Sequence, residues 1–303
     1  MFPTHQPLAS SLDLQGAFAH LSRRGFAGKD LDVALRQLTE SAGRMLNIER
    51  VSLWGLSAQH SKLECIDLYE LSKDAHSSGM TLLSAHYPGF FKALEQGEPI
   101  VADDAIKHPF THEFADDYLL MNGISALIDS PIHVNGDLQG VLCIERVGAH
   151  SAWTSVQRLF AHAVANLVTL AIVQNQSALM RDELNDANAR LRALFTGAPD
   201  AILIADASTG HILDANPPAE RLFGRTHAEL VGILQSDLHP SGESVRYRRL
   251  FEQHVSSGAV LPVQGEIINR RGERIPVEIT GEVVELGSGQ KIIQGVFRQR
   301  STY

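Results

Sequence analysis

The sequence predicts an α+β fold: two units, each an antiparallel sheet with flanking helices, joined by a long helix. Three observations predict it. A helical pattern at 30–46 leads into alternating stretches with hairpin turns. The segment 155–195 contains neither Gly nor Pro. From residue 196 strand patterning returns, with short helical stretches between one strand pair and three closing strands. A length of 303 residues suits about two domains.

In chain order, residues 1–27 are mixed, with one short helix expected from Leu12 to Arg24. In DLDVALRQLTESAGRML (30–46), Leu31, Ala34, Leu35, Leu38, Ala42 and Met45 share a helical face, and Asp30 is a suitable N-cap. ERVSLWGLS (49–57) reads as a strand. KLECIDLYEL (62–71) is its hairpin partner, with Leu63, Cys65, Asp67 and Tyr69 on one face. Residues 72–98 read as loop and short helix, EPIVADDA as a short strand, and HEFADDYLLMNG as a helix ending at Gly123. ISALIDSPIHVNGDLQGVLCIERVG (124–148) is a hairpin around Asn135-Gly136-Asp137. These elements make a first domain at 28–174.

The segment 155–195 carries two apolar rows. Leu159, Asn166, Val173, Met180, Ala187 and Leu194 form one; Ala163, Leu170, Ser177, Leu184 and Leu191 form the other. Their spacing alternates four and three, which is a heptad seam. A helix of this length runs about 60 Å. Its first half is expected to pack on the first domain. Its second half is polar outside the seam, so the segment reads as a dimerising connector, a parallel coiled coil with Leu170, Val173, Met180, Leu184, Leu191 and Leu194 in the contact. The competing reading is a solvated single helix.

DAILIADAS and HILDAN flank a turn at Thr209-Gly210. PPAERLFG opens on Pro and closes on Gly224. THAELVG and ESVRYRRLFEQHVSSG are further helices. VLPVQGEIINR, RIPVEITGEVVEL and KIIQGVFRQ are strands. The second domain is 196–299, with a tail at 300–303.

Composition narrows the function. A net charge of −9 and no basic recognition helix speak against nucleic acid. Two cysteines without a CxxC suit a reducing compartment. The first residues show no signal-peptide pattern, and the apolar run 163–173 is about half a bilayer span. A cytoplasmic protein off the membrane is expected. The polar stretch DDAIKHPFTHEFADD holds His108 and His112 with Pro109 between them and reads as a solvated loop rather than a metal site. No Walker A, GxSxG, kinase or cyclase motif is present, so no catalytic activity is expected in this chain.

Pro199-Asp200-Ala201-Ile202, Gly210 to Asn216, Leu222-Phe223-Gly224, Glu229 to Gly232, Arg271-Gly272-Glu273 before Pro276-Val277-Glu278, and Gly295 to Arg298 follow in an order that resembles a PAS domain. Ile48 to Trp54, Gly123-Ile124, Asp129 to Ile132, Gly136 to Gly148 and Trp153 resemble a GAF domain of the bacterial sensor type. The resemblance implies a sensory protein whose sheets enclose a small-ligand pocket or a packed core, and whose helices pass a twist or shift onward. Candidate ligand residues are Trp54, Tyr69, Tyr118 and Cys143 in the first domain. In the second they are Asn216, Phe223, His239 and Phe251.

The absence of cysteine from 174 to 303 excludes flavin–cysteine photochemistry there. Tyr247 stands where haem-binding PAS sequences carry histidine, and His239 and His254 flank it. Neither haem nor bilin is expected, and the ligand stays unnamed. The expected partners are a second copy, a small molecule and a downstream signalling protein. The alternative is the sensory portion of a longer diguanylate cyclase or histidine kinase. The last strand leaves through Arg298-Gln299-Arg300-Ser301, without the Asp usual at a PAS exit, which favours action through a partner.

Overall fold

A computed structural model describes residues 30–257 and 259–300, and the side chains of all of these except 259–261. The helix expected within residues 1–27 and the end of the tail lie outside the described residues. The chain divides into two compact units, one up to Arg181 and one from Asp182.

In the first unit, helix α1 (Leu31–Leu46) begins where the Asp30 side chain accepts from the Asp32 N–H at 3.1 Å. It stops at Asn47, which is left-handed (φ 50°) and donates its N–H to the last turn. Strands β1 (Arg50–Leu56), β2 (Lys62–Glu70), β3 (Ala75–Ser77) and β4 (Thr81–Leu83) come next, then α2 (Pro88–Glu95) and β5 (Ile100–Ala102). Strands β6 (Ile124–Val134) and β7 (Asp137–Val147) form the expected hairpin, turning where Asn135 and Gly136 both take positive φ. The sheet order is β3-β2-β1-β7-β6-β5, with β4 also paired to β2. The hairpins are local, and β7 returns beside β1.

Each sheet face carries its own core. One is covered by α1 and by the first half of helix α3 (Ser155–Gly197), through Leu35, Leu38, Phe160, Val164 and Val168. The other is covered by α2 and the segment after β5, through Phe90, Phe91, Phe114, Tyr118 and Leu119.

Three local patterns differ from the sequence expectation. The first is residues 72–98, where the short strands β3 and β4 pair with β2 beside the expected loop and helix. HEFADDYLLMNG is not one α-helix but a 3-10 turn (His112–Phe114) followed by a π turn (Ala115–Leu119). The π turn closes through the Leu120 N–H on the Ala115 carbonyl at 2.9 Å. Its five-residue repeat lets both Phe114 and Leu119 face the core. In β2, the register shifts opposite Leu53 and Trp54, leaving Ile66 unpaired as a bulge. The bulge breaks the expected alternation. Cys65 and Leu68 face the α2 side, while Asp67 meets Thr39 and Tyr69 packs beside Gly43, both on α1.

Helix α3 has two distinct stripes. Phe160, Ala161, Val164, Leu167, Val168 and Ala171 are buried. The heptad rows lie one position back, about 100° round the helix. Their Leu159, Leu170, Met180, Leu184, Leu191 and Leu194 remain exposed. The packing on the first unit thus uses a different face from the seam. Among the described residues, α3 alone has a window long and apolar enough to cross a membrane by length and composition; 39% of that window is buried.

The second unit has strands β8 (Ala201–Asp206), β9 (Ile212–Ala215), β10 (Ala259–Ile268), β11 (Arg274–Glu285) and β12 (Lys291–Gln299), in the order β10-β11-β12-β8-β9. Between β9 and β10 lie α4 (Pro217–Phe223), α5 (His227–Leu230), a 3-10 turn (Gln235–Leu238) and α6 (Ser244–Ser257). These helices cover one face of the sheet. Leu203, Phe223, Leu230, Tyr247, Ile267 and Phe297 form the core between the two layers.

Candidate functional site

The second unit holds a partly open cavity of about 60 Å³ between its sheet and α6. Leu203 and Ala205 of β8, Ile279 of β11 and Ile293 of β12 supply its apolar floor. Tyr247, Leu250, Phe251 and His254 of α6 supply its roof, and His239 closes one side. Among the described residues, no Asp, Glu, Lys or Arg lines it.

His239 is held on two sides. Its Nδ1 lies 2.7 Å from the Glu266 carbonyl oxygen, and its ring stacks on Tyr247 with centroids 3.5 Å apart and planes 6° apart. A carbonyl only accepts, so Nδ1 carries the hydrogen and donates it. Burial pushes the His239 pKa down to about 4, against the raising effect of that hydrogen bond. The ring is therefore neutral near pH 7, with Nε2 as a free acceptor. Among the described residues of α6, Tyr247 alone is buried. Its hydroxyl accepts the Glu266 N–H at 2.8 Å. Gly265 permits this approach, because a Cβ there would stand 2.7 Å from the Tyr247 oxygen.

Of the four residues expected to bind ligand here, His239 and Phe251 line the cavity. Asn216 and Phe223 do not. Phe223 is fully buried behind the wall, edge-on to Phe297 at 5.5 Å. Asn216 is fully buried with all of its side-chain capacity used on backbone. Its Oδ1 accepts from the Ile202 N–H (2.8 Å) and from the Ala219 N–H (3.0 Å), the latter capping α4. Its Nδ2 donates to the carbonyls of Asp200 (2.9 Å) and Phe195 (3.1 Å). Phe195 lies in the last turn of α3, so Asn216 ties that helix end to β8 and α4. Tyr247 stood out in the sequence only as the residue placed where haem-binding PAS sequences carry histidine, and Thr280 and Ile293 carried no local signal.

In the first unit, Trp54, Tyr118 and Cys143 do share one packed cluster, with the Trp54 and Tyr118 rings edge-on at 6.3 Å. Tyr69 does not join them, because the bulge at Ile66 turns it to the α1 side. There its hydroxyl donates to Asp74 at 3.0 Å, and burial raises its pKa to about 12. Under the cluster runs a buried polar row that the sequence pattern did not single out. Arg50 donates to Glu145 (2.9 Å), to Glu70 (3.0 Å) and to the Tyr118 hydroxyl (3.3 Å), and Tyr118 donates to Glu145 (2.8 Å). Burial opposes the Arg50 charge, but Glu145 and Tyr118 hold the guanidinium charged. Burial raises the pKa of Glu145, and Arg50 draws it back. Beside them, burial pushes Asp129 up to about 7, while a hydrogen bond from Cys143 lowers it. Burial and the neighbouring Asp129 carboxyl push the Cys143 thiol well up, which makes it a poor nucleophile. Lys107 pairs with Asp104 at 2.8 Å, and Glu113 caps the amide groups of Gly89 and Phe90 at the start of α2. The polar stretch around His108 is thus drawn into ion pairing and helix capping.

The GAF domain family matches residues 30–172, and the PAS domain family matches residues 199–300. Among solved structures, a GAF domain from a Coxiella burnetii phosphoenolpyruvate-protein phosphotransferase is 16% identical. It covers 56% of this chain and 98% of its own, with a TM-score of 0.45. A domain of the sensory box sensor histidine kinase/response regulator from Geobacter sulfurreducens is 29% identical over 38% of this chain and 96% of its own, with a TM-score of 0.33. A methyl-accepting chemotaxis protein fragment is 18% identical over 52% of this chain and 95% of its own, with a TM-score of 0.44. No curated protein matches the sequence. The two sheets, their helical covers and the two matched families together identify the chain as a GAF domain followed by a PAS domain.

Proposed function

We propose that this chain is a cytoplasmic sensory protein that works by recognition, without a reaction of its own, as a parallel homodimer joined through α3. A small molecule in the PAS cavity biases how the two α3 helices pack, and a downstream signalling protein reads the difference. The observation that carries this reading is the seam. Leu170, Met180, Leu184, Leu191 and Leu194 expose 44–73% of their surface, and they repeat at heptad spacing along a helix whose other stripe is already buried. A second copy is the partner that matches such a row in length and period. Asn216 supplies the coupling, since it holds the Phe195 carbonyl of α3 and the edge of β8 with one side chain. β8 also forms part of the cavity floor. A ligand that favours one setting of β8 therefore favours one setting of the helix end, which is a population shift.

The test is Leu184→Asp. Leu184 is 61% exposed, so the substitution removes little packing within one copy. In a dimer it places two carboxylates in the seam. Sedimentation equilibrium should show a dimer for the parent protein and a dissociation constant at least thirtyfold weaker for the variant, from a loss of about 2 kcal/mol or more. An unchanged oligomeric state with a folded variant would sink the proposal.

A further inference from the structure

The PAS cavity has a chemistry of its own. On the reading that this cavity is the ligand site, three features of its wall restrict the occupant. The first is charge. The described lining residues include no carboxylate, lysine or arginine, and burial lowers the pKa of His254 as well as that of His239. A charged ligand would enter without a counter-charge and would lose its hydration. The second is size. Cofactor and drug-sized sites run to about 300–1,000 Å³. About 60 Å³ is room for several water-sized groups, on the scale where an engineered pocket of about 150 Å³ takes benzene.

The third feature is the polar group in the wall. His239 is 5% exposed, and Nε2 has no partner among the described residues, while Nδ1 is committed to the Glu266 carbonyl. Rotating the ring would give up that 2.7 Å bond and the stack on Tyr247. His239 thus holds a fixed acceptor among the residues that line the cavity. Gln235, Thr280 and His254 also line the cavity, but they are only half-buried.

We propose that the PAS cavity binds a small neutral molecule, mostly apolar and about five heavy atoms in size, whose single hydrogen-bond donor is received by His239 Nε2. A short-chain alcohol has this form. The hydroxyl donates to the imidazole while the alkyl chain lies on Leu203, Ala205, Ile279 and Ile293.

The experiment compares butan-1-ol with methyl propyl ether in the full chain. The two have equal numbers of heavy atoms, and only the alcohol can donate. Titrations are followed by backbone amide shifts and by the imidazole nitrogen resonances of His239. The alcohol should saturate shifts at cavity residues, move the Nε2 resonance, and bind about tenfold more tightly than the ether, the increment of one hydrogen bond. In His239→Phe the two probes should bind alike. The direct Nε2 reading keeps the test decisive even if that variant fails to fold. Equal binding of both probes to the parent, or an unmoved Nε2 resonance, overturns the donor assignment while leaving the cavity as a ligand site. Binding of neither probe overturns the cavity as a ligand site and the donor assignment with it.

Discussion

Asn216→Ala removes the side chain that joins three elements of the PAS domain. Four hydrogen bonds of 2.8–3.1 Å are lost together. The Ile202 and Ala219 N–H groups lose their acceptor, and the carbonyls of Asp200 and Phe195 lose their donor. A net contribution of about 0.5–1.5 kcal/mol per bond sets a ceiling near 6 kcal/mol. Phe195 and Asp200 are only half-buried and can turn to water, which brings the expected loss to about 3 kcal/mol. For a domain of about 100 residues this lowers the PAS melting temperature by roughly 12–24 °C. Scanning calorimetry on the full chain reads that shift, and hydrogen exchange at the Ile202 and Ala219 amides reads it locally. Asn216→Asp should do no better near pH 7. It keeps the two accepted bonds but sets a carboxylate against two carbonyl oxygens. A loss under about 1 kcal/mol in Asn216→Ala, with both amides still protected, would refute the joining role of Asn216.

The buried titratable groups make stability depend on pH and on single side chains. His239 is neutral in the folded protein down to about pH 4, whereas an unfolded histidine titrates near 6.5. Between those values the unfolded chain binds more protons, so stability falls as pH drops from about 6.5 to 4, by about 3 kcal/mol. Glu243 eases protonation and Arg246 opposes it. Urea melts of the parent and of His239→Phe across this range should differ in slope, and parallel slopes would remove His239 as the source. In the GAF domain, Arg50→Met leaves Glu145 buried without its cation and should cost about 3–5 kcal/mol. Tyr118→Phe deletes one hydroxyl from the same row and should cost about half as much in the same melts.

The fold was legible because its signals are local. The Asp30 cap, the Asn135-Gly136 turn, the Pro217 start and the Gly224 stop of α4 each depend on neighbouring residues. Two of the departures were non-local. The bulge at Ile66 is set by pairing with β1, and the π turn at Ala115–Leu119 by the need of Phe114 and Leu119 to face one core. The same divide runs through the sites. His239 and Phe251 could be named because they flank or sit on the helix roofing the cavity. Asn216 stands directly before the helix start at Pro217, a local cap position, yet its other three bonds reach residues 14–21 positions away. The row of Arg50, Tyr118, Asp129 and Glu145 is assembled from two strands of one hairpin, a third strand and a crossing turn, so no spacing announces it.

The proposed signalling route requires that α3 meet its copy in parallel and in register along the exposed heptad row. Cysteine cross-linking tests this directly, since the native Cys65 and Cys143 are buried and serve as a silent background. Leu184→Cys puts a thiol in the seam, and Ala189→Cys puts one on the outer side of the same helix. Under mild oxidation the first should give a disulfide-linked dimer on a non-reducing gel while the second stays monomeric. Equal cross-linking of both, or none from Leu184→Cys in a folded protein, would contradict the parallel dimer and the signalling route built on it.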